Sequence, residues 1–410
     1  MNWISPEIDV LNILEALCLL PFMYIINQYL FKKLKEKHDF FSTRSMNLLF
    51  IYHLVFAGVY YSYALFNPSD SKRYFRVVNN TEEPWFHFFK TETSFIDFLS
   101  YPFIKYFNFS YEMMMLGFAW LGFLGFVFAY LFFKEHISLK IKIFKKIDFL
   151  WLILFLPNMH FWTASIGKGA PIFLALMLFA YSLHKPGKRW KTLLAGALLV
   201  FAIRPHMLLL IIMGAVAGIM LCKQSLDWKK KSLVIASIGS ILLIFHQPIL
   251  KVVDLHNSTN LVSDFLSFSE QRAESLSDSG SGVNMAEYSL PEKFFTFWFR
   301  PLFFDAPGLF GIIVSIENFI YLLIFGKILR LKFFRFLKSA PLHVKSSLAL
   351  FLISSFAMTF IMSNLGIIIR QKSMIMYFMF FVVYYYLGQQ KSISQKPEGT
   401  GNIHSLPKAA

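Results

Sequence analysis

The sequence is poor in the features that define soluble enzymes. Only two cysteines occur, Cys18 and Cys222, far apart and each in or beside an apolar stretch. That excludes a disulfide framework and a paired-cysteine metal site. Charged residues make up only 16% of the 410 positions, where a soluble domain carries about a quarter. No Walker loop, GxSxG elbow, zinc-ligand spacing or dinucleotide fingerprint is present. ATP-driven transport and nucleotide-sugar chemistry on a Rossmann-type domain are therefore not expected, and no stretch between apolar runs is long enough to hold such a domain. Residues 1–10 contain Glu7 and Asp9 but no lysine or arginine, so the basic start of a cleavable signal peptide is missing.

What is abundant is apolar and aromatic. Hydrophobic residues reach 56%, with 50 Phe, 18 Tyr and 8 Trp, and the mean hydropathy is +0.53. Lipid is the solvent that fits this composition. The formal net charge of +16 would suggest nucleic acid in a soluble chain. Here the basic residues cluster between apolar runs, which points to membrane topology and contact with anionic lipid headgroups. No nucleic-acid partner is expected.

Residues 8–31, 46–66, 111–133, 232–250 and 308–329 are long enough to span a bilayer once each. Three longer runs, 149–183, 192–222 and 346–387, have basic clusters at both ends. The positive-inside rule places both ends of each on the cytoplasmic side, so each is expected to cross twice as a hairpin. Their turns are assigned to Pro157–Pro171, Arg204-Pro205-His206 and Asn364–Lys372. The expectation is an all-α, polytopic transmembrane bundle over residues 1–390, with about eleven crossings and short or re-entrant hairpins. The N-terminus falls outside and the C-terminus in the cytoplasm. Segments 67–110 and 251–293 become external loops, the first with an interfacial helix, and 391–410 a disordered tail. The alternative for 192–222 is one helix kinked at Pro205.

Ionisable groups within spans are costly and are functional candidates by default. This topology gathers Lys168, Arg204, Arg300, Glu317, Arg370 and Lys372 toward the outer face, with His160 and His206 beside them. The 12 residues from Thr192 to Ile203 reach about 18 Å as a helix, short of a core of about 30 Å. Arg204 therefore belongs within the membrane's depth, at a protein-lined cavity. Cations in excess suggest an anionic ligand, and the guanidinium fork matches phosphate oxygens. Blander roles remain open: Arg300 as an interfacial anchor, Glu317 as an arginine's partner, Lys372 snorkelling outward. Asp70, at the start of the first external loop, is either a general base for a hydroxyl or a helix cap.

Pro157, Phe161, Trp162, Ser165 and Lys168, then Arg204-Pro205, then Arg300-Pro301 with Glu317-Asn318, resemble elements of bacterial polysaccharide polymerases and related multispanning glycosyltransferases. Asp70 with Tyr74 is similar to the Asp-x-x-x-Tyr of the exopolysaccharide group. The chain departs from those proteins at Gly169, where an acid often follows the lysine. The resemblance implies a bacterial inner-membrane enzyme that transfers an undecaprenyl-pyrophosphate-linked glycan on the periplasmic side. Arg204 with Arg370 or Arg300 would hold the pyrophosphate, Lys168 would add charge, and Asp70 would take the acceptor's proton. His160, Trp162 and His206 would shape the sugar site. No cofactor or metal is expected. A flippase for the same lipid, using the cations without a base, is the alternative.

Overall fold

The computed structural model describes residues 10–222 except 138, residues 288–395 except 307, and scattered positions between. The described fold is all-α. Its helices are α1 (Val10–Lys37), α2 (Thr43–Phe66), α3 (Asp70–Asn79), α4 (Thr93–Lys105), α5 (Tyr111–Lys134), α6 (Phe149–Leu154), α7 (Pro157–Trp162), α8 (Gly169–Leu183), α9 (Trp190–Ile203), α10 (Pro205–Leu221), α11 (Leu290–Phe299), α12 (Gly308–Gly326), α13 (Leu331–Ser339), α14 (Leu342–Ile361) and α15 (Leu365–Ser394). A two-residue antiparallel ladder pairs β1 (Lys142–Ile143) with β2 (Ile147–Asp148). Six of these helices are long and apolar enough to cross a membrane: α1, α2, α5, α12, α14 and α15.

The three long runs fold back on themselves. Arg204 closes α9, its N–H bonding to Val200 O at 2.7 Å. Pro205 then opens α10 at a position where no N–H is needed. The direction of α10 follows from its packing on α14. A Cβ at Gly214 would lie 2.6 Å from the Leu350 backbone, and one at Gly218 would meet Ser346 backbone at 2.7 Å. Small residues four apart let two backbones approach where lipid offers no hydrophobic drive. Leu221 O accepts from Lys345 Nζ at 3.0 Å, and His343, on the same turn of α14, stacks on His136 just past α5. At the other arm, Arg189, before α9, forms a forked pair with Glu135 at 2.6 and 2.8 Å. Both arms of the 192–222 run therefore start and finish at one end of the bundle, and Arg204 lies at the other. A single kinked helix is excluded.

The third run turns at Met362–Asn364, with the Asn364 side chain capping Ile367 N at 3.1 Å. The expected turn through Lys372 is too long: Arg370, Gln371 and Lys372 already belong to α15. That helix is the central strut of the bundle, whereas α1 is largely exposed. Helix α15 also runs to Ser394, so the start of the expected tail is helical. Helix α11 begins at Leu290, ending the second expected external loop before residue 293. Residues 1–9, nearly all of the expected span 232–250, most of the loop from 251 onward and residues 396–410 lie outside the described residues.

The segment 67–110 is a packed helical unit. Ser69 caps α3, accepting from Ser71 N at 3.3 Å. Its hydroxyl also joins a chain running Tyr60, Ser69, Ser71 and Tyr111, with links of 3.0, 2.7 and 2.7 Å. That chain pins α3 to α2 and α5. The cap belongs to Ser69, which leaves Asp70 at the first helical position with its carboxylate free to reach outward. Lys105 Nζ bonds Asn79 O at 3.0 Å, and Tyr101 OH bonds Glu83 O at 3.0 Å, tying α4 to α3 and to the strand of chain between them.

Candidate functional site

At the end of the bundle where Arg204 lies, four chain segments meet. Asp70 projects from α3, and its carboxylate accepts from Arg370 Nη1 of α15 at 3.2 Å. The Arg370 guanidinium carbon sits 5.5 Å from the Trp162 ring centre, at the end of α7. Arg204 is 7% exposed, and its Nη1 donates to Gln371 Oε1 at 2.5 Å. Gly167 adopts φ +151°, and Tyr74 packs against it, 3.5 Å from where a Cβ would sit. This bend presents Lys168 to the same space, within electrostatic reach of Glu92, Arg204, Arg370 and Arg73. His206 follows on α10, coupled to Arg204 and Lys168. Glu92, with φ 66°, bonds Ala202 O through its N–H at 2.7 Å, which docks the α3–α4 unit over the tip of α9.

Hydrogen-bond accounting shows what this cluster leaves unmade. The Nε atoms of Arg204 and Arg370 are both buried and have no partner, and so is His206 Nδ1. A buried donor left unmade costs about 1–3 kcal/mol, more when charged. Two guanidiniums that also repel each other thus keep unused donors in one place. Among the described residues, Arg370–Asp70 is the ion pair of this cluster.

Asp97, on α4, was not singled out in the sequence. It is 3% exposed, and its Oδ1 has no hydrogen-bond partner. Burial pushes its carboxyl up to about 6, with Arg73 and Lys168 pulling the other way. Tyr74 lies within its field and is itself raised by burial and by Asp70. Arg73, Glu92, Asp97 and Gln371 are the residues of this cluster that sequence reasoning missed. Three of them lie on the 67–110 segment, where charged residues are common and unremarkable.

Other sequence candidates are placed elsewhere. His160 is fully buried. Its Nδ1 meets His53 Nδ1 at 2.8 Å and its Nε2 meets Leu154 O at 2.7 Å, while its ring stacks on Phe126 at 3.9 Å. Both nitrogens are engaged inside the bundle. Arg300 donates Nε to Asp305 at 2.5 Å and Nη1 to Tyr288 OH at 3.3 Å. Lys372, fully buried, donates to the carbonyls of Arg300 at 2.8 Å and Trp298 at 3.3 Å. Glu317 accepts from Asn158 N at 2.9 Å and from Tyr321 OH. Asn318 Nδ2 bonds Pro301 O at 2.7 Å. These residues form a second polar group whose charges are satisfied by one another and by backbone. It locks α7, α11, α12 and α15 together.

No protein-family model, curated protein or solved structure matches this chain.

Proposed function

We propose that this chain is a membrane-embedded glycosyltransferase of the polysaccharide-polymerase kind, acting on a glycan linked to a lipid pyrophosphate. The observation that carries the reading is the pair of buried, unpartnered Nε donors on Arg204 and Arg370, with Lys168 beside them. A pyrophosphate supplies the several anionic oxygens that such an array lacks. The basic clusters at the far end support a site on the outer side of the membrane, which in this reading is the periplasmic face of a bacterial inner membrane.

In the reaction, the bond between the sugar's anomeric carbon and the pyrophosphate oxygen breaks as the acceptor hydroxyl oxygen bonds that carbon. Arg204 and Arg370 stabilise the charge that builds on the departing pyrophosphate, a preorganised electrostatic role. Lys168 adds to it. The hydroxyl's proton goes to a carboxylate. Asp70 and Asp97 both face this region. Asp97, raised to about 6, is better matched to neutral pH, and Asp70 then orients Arg370. Trp162 holds Arg370 against one face, and His206 borders Arg204. The arrangement calls on no cofactor.

Glycan profiling of a deletion strain complemented with wild type or Arg204→Ala tests this. Long polymer with wild type and single repeat units with the variant would support a polymerase. Loss of one sugar from every chain would support transfer of a single residue. Wild-type glycan from the variant would refute the reading. Full lipid translocation by Asp97→Asn and Asp70→Asn variants, with no glycosidic bond formed by wild type, would point to the flippase.

A further inference from the structure

At the opposite end of the bundle, three histidines from separate elements converge. His136 follows α5, His184 caps α8, and His343 lies in the first turn of α14. One ring nitrogen from each lies within 4.8 Å of the others. The His136 and His343 rings stack at 4.1 Å and 27°, and His184 meets His136 edge-on at 4.2 Å. Three imidazoles packed this closely, with two of their buried ring nitrogens unpaired, are a poor use of three polar rings. The Nε2 atoms of His136 and His343 are buried and have no hydrogen-bond partner.

We infer that His136, His184 and His343 form a binding site for a divalent first-row transition metal ion of the zinc class. The inference is independent of the glycosyltransferase reading. Imidazole nitrogen is a preferred ligand for such ions. Zinc–nitrogen bonds of about 2.0–2.1 Å in a tetrahedron place ligand nitrogens about 3.3 Å apart. The three donors, within 4.8 Å of one another, would close to that spacing around the ion. Hard cations such as magnesium and calcium want oxygen ligands instead.

The surroundings define the coordination further. Glu135 is the nearest acid, but Arg189 holds both its oxygens and Lys185 lies at 3.5 Å. Its charge balances those cations, so the fourth position of the metal is left to water. The loop carrying His136 is pinned to α15: Ile137 packs against Gly388, and Lys391 Nζ bonds Lys140 O at 2.8 Å. A metal here would clamp the ends of α5, α8 and α14. Of these, α8 packs on α9 and α14 packs on α10, and the α9–α10 junction presents Arg204.

The test uses tag-free full-length protein in detergent, stripped with a chelator and then titrated separately with zinc and with cobalt. One equivalent of metal per chain is expected, with the visible absorption of tetrahedral nitrogen-bound cobalt and a higher melting temperature in zinc. His136→Ala and His343→Gln should each lose the cobalt signal and the zinc-dependent melting shift. They should melt like stripped wild type, which shows that the fold survives. His87→Ala, in the 67–110 segment, should bind like wild type. Wild-type protein that takes up no zinc or cobalt would overturn the proposal, and so would equal uptake by wild type and either histidine variant. If His136→Ala does not fold, His343→Gln alone decides.

Discussion

Arg204 and Arg300 look alike in the sequence. Each ends an apolar helix, and each is followed by proline. In the fold they differ completely. Arg300 spends its donors on Asp305 and Tyr288, both supplied by nearby chain. Arg204 has no acid between Asp148 and Asp227 in the sequence, finds one amide oxygen, and keeps a buried Nε without a partner. One arginine is structural because the chain completes it. The other keeps a buried donor that the described chain does not pair, the one the proposed pyrophosphate would take up. The same contrast separates the two polar groups around them: one meets its charges within the chain, the other leaves guanidinium donors unpaired.

Substitutions at the two arginines break this comparison most sharply. Arg204→Ala should lower glycan transfer by about 10²–10³-fold, the usual loss for one preorganised donor to a developing anion. It should leave the melting temperature unchanged or higher, because a repulsion with Arg370 is removed. Arg300→Ala should do the reverse, costing about 3 kcal/mol of stability by stranding Asp305, as read by thermal unfolding in detergent. Glu317→Ala should cost about 2 kcal/mol, since Asn158 N and Tyr321 OH lose their acceptor; an unchanged melting point would dissolve the lock.

Asp97 sharpens the comparison through pH. If it is the base, transfer should fall about tenfold from its plateau when the pH is one unit below 6, and Asp97→Asn should remove that limb together with most turnover. Because its folded pKa is raised from 3.8 to about 6, the carboxyl favours the fold below 3.8. That contribution is lost as pH rises through 6. Asp97→Asn should therefore flatten the wild-type decline in melting temperature between pH 5 and 7. The smallest effect is expected at Gly167→Ala, about 1 kcal/mol from the φ of +151°, with a modest loss of transfer as Lys168 shifts.

Much of the frame was legible from the sequence. Basic clusters at both ends of 192–222 required a return, and α9 and α10 make it. An arginine isolated among apolar residues stood out, and it lies in the cluster of cations with unpaired donors. Other parts were hidden for definite reasons. His160 precedes Trp162 by two positions, and residues two apart on a helix face different ways. Trp162 lies at the site, which turns His160 into the bundle. Lys372 is likewise two past Arg370 and points to the lock. Asp97 and Glu92 are ordinary acids of a segment between spans until α4 folds over the tip of α9. The three histidines are too far apart in sequence to form a spacing motif, and only the packing of α5, α8 and α14 joins them.

Binding of a short-chain prenyl pyrophosphate to the full chain in detergent tests the central claim most directly. Wild type should bind it, Arg204→Ala should bind at least about 100-fold more weakly, and prenyl alcohol should bind neither. Equal pyrophosphate affinity for wild type and Arg204→Ala would contradict the account.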